Sequence, residues 1–157
     1  MSAGREGPSS SWVNSLTERN KEKVRLFVDA VLNEGRLDLI EELVAADFVG
    51  HLTGVSAPVL GPGEVRRLVS SGRRAWPDLY IKIDDEIAEE DRVVVRWRAA
   101  PMPGGAPRDQ PRPGARWTGV SIVRFLAGKQ VDARTECAIV ASDPITPGGI
   151  SSSRQMS

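Results

Sequence analysis

The sequence predicts an α+β domain: a curved antiparallel sheet of four or more strands wrapped around three N-terminal helices. Two observations carry this. The first half of the chain repeats apolar residues at helical spacing. The second half switches to alternating runs rich in Val, Ile, Trp and Tyr, parted by turn signals. Helices followed by a strand meander describe an α+β arrangement.

The elements follow in order. The first helix runs from Asn20 to about Asn33, with Val24, Phe27, Val28, Val31 and Leu32 on one stripe and Gly35 as its stop. A second is expected over Leu37 to Ala46, with Leu39, Ile40, Leu43 and Val44 apolar. A third spans Pro62 to about Ala75, with Pro near its first turn and Pro77 beyond its end. Four strands are expected at 79–87, 92–100, 116–126 and 130–141. Glu89-Glu90-Asp91 and Ala127-Gly128-Lys129 mark two of the turns. Residues 101–115 hold five of the 11 prolines, which forbids regular pairing there and suits a lid over a pocket. Amphipathic helices must cover one face of such a sheet, and its twist curls it around what they leave unfilled.

Composition narrows the function. The 157 residues suit one domain over 17–142, between a flexible arm at 1–16 and a flexible tail at 143–157. Lys plus Arg equals Asp plus Glu, 21 each, so no global field is available to hold nucleic acid or an anionic membrane. No apolar run approaches the roughly 20 residues of a membrane helix. The N-terminus lacks an apolar signal core. The single cysteine, Cys137, excludes an internal disulfide and fits a cytoplasmic location. The single histidine, His51, excludes a His–His zinc site, and no metal is expected. Phosphate-loop, dinucleotide, nucleophile-elbow and zincin motifs are absent.

Three segments together resemble a known family. NEGRLDLIEELVAADFVGH, AWPDLYIKIDDEIAEEDRVVVRWRA and RPGARWTGVSIVRFLAGKQVDA stand in the order found in SnoaL-like polyketide cyclases, of the nuclear transport factor 2-like superfamily. The resemblance covers roughly residues 20 to 141. It implies a cone-shaped fold with one ligand pocket, no metal or organic cofactor, frequent homodimers, and acid/base chemistry on polyketide-like small molecules. Two polar positions depart from the family pattern: no His follows Trp97, and the last strand has Ala138 where an Asp is usual.

Candidate site residues divide between chemistry and binding. Glu136 is the nearest acid to that missing Asp, which makes it the resemblance's candidate general acid or base. Strand alternation puts it on one face with Asp132, Arg134 and Ala138. That face is either the pocket lining or a solvated outer surface, and the opposite face is the more apolar. His51 can transfer a proton at the pocket mouth, histidine being the residue type that changes charge near neutral pH. Tyr80 can donate a hydrogen bond to a substrate oxygen. Trp76, Trp97 and Trp117 can wall a hydrophobic or aromatic substrate. Arg96 and Arg134 can hold an anionic group or an inward acid. Two functions follow. One is a cofactor-independent cyclase or isomerase closing rings by proton transfer, with epoxide opening chemically close. The other is a non-catalytic binding or accessory subunit using the same pocket.

Overall fold

The computed structural model describes residues 9–102 and 116–140, with side chains from residue 15 onward. The proline-rich segment 103–115 and the tail at 143–157 lie outside the described residues. Helix α1 spans Ser9–Leu26 and continues without a break as a π-helical stretch, Phe27–Asn33, that buries Val28, Ala30 and Val31. It takes in residues 9–16, expected as part of an arm. A 3-10 turn at Leu37–Leu39 leads into the short helix α2, Ile40–Leu43. The expected second helix stops there, because Val44 turns to extended backbone (φ −119°, ψ 127°). Strand β1, Val44–Leu52, and the two-residue strand β2, Val59–Leu60, follow.

Helix α3, Gly61–Ala75, starts with Pro62 in its first turn, and Glu64 in that turn with Arg73 and Arg74 in the last suit the helix dipole at both ends. The remaining strands are β3, Leu79–Glu89; β4, Arg92–Pro101; β5, Trp117–Leu126; and β6, Lys129–Ile139.

The six strands form one unclosed sheet in the order β2-β1-β6-β5-β4-β3. Four of the five pairings are antiparallel, and β1 runs parallel to β6. The sheet is thus mixed at one seam, where the sequence predicts antiparallel pairing throughout. The α3–β1 and α1–β3–β4 contacts put the helices over the inner face. Two apolar clusters result. One joins Ile40, Leu43 and Phe48 to Val65 and Val69 of α3. The other joins Val24 of α1 to Val93, Val95, Val123 and Phe125. Ala133 packs against both.

The edge strand β3 is held by a side chain. Asn33 donates from Nδ2 to the Ile81 carbonyl and accepts from the Ile81 amide at Oδ1, both at 2.8 Å. This two-bond bridge satisfies backbone groups that would otherwise lie open at a sheet edge. Arg73 Nη1 donates to the carbonyls of Leu32 and Asn33, at 2.8 and 2.7 Å, and so caps the same helix end. Asn33→Ala is therefore expected to cost about 1–3 kcal/mol, the range for leaving part-buried partners unmet. Urea unfolding should show a lowered midpoint, and an unchanged midpoint would refute the role.

Candidate active site

A cavity of about 300 Å³ lies between the two clusters. Val24, Phe27 and Val28 form its helical wall. Phe48, Val59, Val65 and Val69 close the α3 side, and Val95, Trp97, Val123 and Ala133 form the sheet floor. The polar side chains on the lining are few: Ser121, Thr135, Gln130 and the Trp97 indole N–H; His51 borders the cavity as a residue of β1. Among the described residues no Asp, Glu, Lys or Arg borders it.

The strand registers decide which candidates face inward. On β4, Val93, Val95 and Ala99 are buried, and Trp97 shares their face by alternation. Trp97 pairs with Gly119, and Gly119 with Cys137. Val123 pairs with Ala133, and Ser121 with Thr135. The inner face of β6 is therefore the more apolar one, Ala133, Thr135, Cys137 and Ile139. Glu136 pairs with Val120 and Arg134 with Ile122, both exposed on the outer face. The expectation that Glu136 enters the cavity is thus corrected. Arg134 lies outside too, because the strand buries its apolar side and leaves its charges to water.

The other candidates separate similarly. Arg96 lies on the outer face in an ion pair with Asp85. Arg98 pairs beside it with Asp84, whose carboxyl it holds below the usual carboxylate range. Tyr80 borders a separate polar groove with Arg25, Asp29 and Asp84 along the β3 edge, not the cavity. Trp76 is 47% exposed and meets Trp117 edge-on, with ring centroids 4.9 Å apart, away from the cavity lining. Of the three tryptophans only Trp97 is a cavity wall. His51 borders the cavity, but it pairs with Arg134, so its side chain stands on the outer side of β1, the face that also carries Arg134 and Glu136. Burial pushes the Cys137 thiol up, which makes it a poorer nucleophile.

Three polar lining residues were not singled out from the sequence: Ser121, Thr135 and Gln130. Trp97 Nε1 donates to Ser121 Oγ at 3.1 Å, and Ser121 Oγ lies 2.8 Å from Thr135 Oγ1. Gln130 pairs with Phe125 and Asp132 with Arg124, so Val131 is an extra residue, a β-bulge. The bulge turns Gln130 to the inner side, where it is 4% exposed. The signal for the hydroxyls was present, since Ser and Thr interrupt the apolar face of β5 and β6. The bulge leaves no such trace.

The Trp97 indole packs closely over Gly119. A Cβ built at Gly119 would sit 2.3 Å from Trp97 Cζ2 and 2.9 Å from the Glu136 carbonyl oxygen. Gly119→Ala must therefore push the indole off its partner Ser121. The expected cost is about 3 kcal/mol, a fall in Tm of roughly 10 °C for a domain of this size. Gly72→Ala in α3, where nothing lies within 4 Å, should instead stabilise by about 0.5–1 kcal/mol. Calorimetry on the pair checks both signs.

Comparison with known proteins places this architecture. The fold matches that of a candidate SnoaL-like polyketide cyclase from Jannaschia sp. CCS1, at TM-score 0.65 and 19% identity over 78% of this chain and 87% of that one. It also matches IdmH from Streptomyces antibioticus, described as a candidate polyketide cyclase, at TM-score 0.62 and 22% identity over 75% and 91%. A candidate ketosteroid isomerase from Kribbella flavida aligns at TM-score 0.61 and 16% identity over 83% and 85%. Among curated proteins no significant match is found. The sequence model of one family matches residues 22–137, which contain all six strands but the last residues of β6, and with them the cavity; the chain belongs to the SnoaL-like polyketide cyclases.

Proposed function

We propose that the chain is a cyclase or isomerase that folds a neutral, polyketide-like small molecule inside the apolar cavity and closes or rearranges a ring there. The observation that carries this is the cavity itself: about 300 Å³, walled by apolar side chains and one indole. That volume lies at the lower end of the range for small-molecule sites. Holding a flexible chain in a folded conformer brings its reacting carbons together and removes much of the entropic barrier. The cavity contributes this positioning, and His51, on the outer side of β1, is assigned proton transfer on a part of the substrate that extends past that strand. A ring closure or an epoxide opening there fits that placement.

The absence of any carboxylate on the lining, among the described residues, favours a second reading. In it the same cavity only binds, and the chain serves as an accessory subunit. The two separate in one experiment. The purified chain is incubated with a panel of linear poly-β-ketones and epoxy-polyketides, and products are followed by mass spectrometry. Loss of water or isomerisation that depends on the protein supports catalysis. Saturable binding with no conversion supports the accessory role. Glu136→Gln should leave turnover within a few-fold of the parent, because Glu136 lies on the outer face opposite Val120. A loss beyond tenfold would return Glu136 to the site.

We further infer a homodimer through the outer face. Val93, Val95 and Val123 are buried in the core and are not available for that contact. Val120 and Ile122, each 43% exposed, take their place as the apolar surface. Light scattering at micromolar concentration should report two copies, and Ile122→Glu should shift the population to one.

A further inference from the structure

We propose that the cavity selects its ligand by a carbonyl oxygen, received by the hydroxyl pair Ser121–Thr135. This rests on the reading above that the cavity takes a small molecule. It adds the functional group by which that molecule is recognised.

The argument is a count of protons. Trp97 has one N–H, and it is spent on Ser121 Oγ. Ser121 and Thr135 carry one O–H each, and their oxygens share one hydrogen bond at 2.8 Å in which either is the donor. If Ser121 donates, the Thr135 proton is left over. If Thr135 donates, the Ser121 proton is left over. Whichever holds, three donors meet two acceptor places, and one hydroxyl proton has no partner among the described residues. Both hydroxyls line the cavity, whose other walls nearby are apolar. An unmet donor in such surroundings costs about 1–3 kcal/mol. A ligand that presents an acceptor there removes the cost, and a hydrocarbon does not.

A second residue points the same way. Gln130 is 4% exposed and lines the cavity. Its side-chain amide makes no hydrogen bond that the structure shows among the described residues. Two separate polar sites, both unmet, are more than an apolar filler needs. The ligand is also neutral. No Lys or Arg borders the cavity among the described residues, so a carboxylate or phosphate inside would lack a counter-charge. A neutral acceptor at a donor without charge is met by a ketone or enone oxygen. Hydrogen bonding to that oxygen draws electron density from the adjacent carbons, which assists enolisation or attack in the same cavity.

The test uses two tricyclic probes of nearly the same shape, fluorenone and fluorene, which differ by the carbonyl oxygen. Equilibrium dialysis with the full chain gives each affinity. Infrared difference spectra give the C=O stretch of bound fluorenone. After correction for water–octanol partition, the parent should prefer fluorenone by about tenfold, one well-placed hydrogen bond. The stretch should move to lower wavenumber.

Trp97→Phe, Ser121→Ala and Thr135→Val each leave at least one donor, so each should keep part of the preference. A quadruple variant that adds Gln130→Leu to these three leaves none on the lining among the described residues. It should lose the preference and return the stretch to its value in an apolar solvent, while still binding fluorene. That retained binding shows that the variant is folded and its cavity intact. Equal affinity of the parent for both probes, or an unshifted stretch, would overturn the carbonyl assignment and leave the cavity-binding reading standing. Binding of neither probe would overturn both.

Discussion

Ala133→Phe is expected to abolish ligand binding while leaving the fold as stable as the parent or more so. Ala133 sits on the inner face of β6, lines the cavity, and packs against both apolar clusters. A phenyl ring there projects into open space between them. Adding bulk to a filled core costs about 1–3 kcal/mol. This site is not filled, so the added apolar surface is buried instead, and cavity filling commonly yields about 0.5–2 kcal/mol. The ligand loses that room. Affinity for fluorenone should fall by at least about 100-fold, equivalent to roughly 2.7 kcal/mol, with Tm equal or higher. Measuring Kd by dialysis and Tm by calorimetry on one preparation separates the outcomes. Intact affinity with a raised Tm would mean that the cavity is only a packing defect and that the ligand site lies elsewhere.

The sequence disclosed the strands well because their side chains alternate cleanly. The meander expected at 79–87, 92–100, 116–126 and 130–141 appears as β3 to β6 with ends shifted by two residues or fewer. β1 was harder to read for a physical reason. Its partners jump from Val44↔Gln130 to Val49↔Asp132, so five residues run against two, and Ala46 and Asp47 are left exposed. No period of two survives such an irregularity. The apolar spacing of Leu39, Ile40, Leu43 and Val44 fits a helix as well as a helix end. β2 has only two residues and its partners lie on β1, so it has no local signature.

The site was legible in part. Trp97 as a wall followed from the sequence, while His51 borders the cavity with its side chain on the outer side of β1. The burial rule also held for β6, whose more apolar face is the inner one. The resemblance argued against that rule by assigning Glu136 to a catalytic carboxylate's place, and the register with Val120 favours the rule. Arg96 was grouped with the site by the family resemblance, Arg134 by sharing a strand face with Glu136, and Tyr80 by its hydroxyl. Arg96 and Arg134 instead lie on the outer face, and Tyr80 borders the groove at the β3 edge. Gln130 could not be foreseen, since its inward turn depends on one extra residue in β6. The Ser121–Thr135 contact depends on which residues of two strands stand opposite, a non-local fact that local pattern cannot supply.

His51→Gln is expected to lower turnover about 10²- to 10⁴-fold on whichever substrate the panel identifies, the usual contribution of one proton-transferring side chain. Affinity should change little. His51 is the one residue with a side chain suited to that transfer among the described residues bordering the cavity. Its pairing with Arg134 puts the ring on the outer side of β1, outside the apolar interior. It therefore meets only the part of a substrate that extends past that strand, and glutamine retains hydrogen bonding there while losing proton transfer. The variant should show kcat lowered with KM nearly constant, the mark of an interaction made in the transition state. Stability should be untouched, because the ring is exposed and no hydrogen bond of its side chain is found among the described residues. If turnover persists within a few-fold, the proton moves by another route, and the Ser121–Thr135 hydroxyls become the next groups to vary. If the parent binds the panel and converts none of it, His51→Gln will alter nothing measurable, and the chain is a binding subunit built on a cyclase fold.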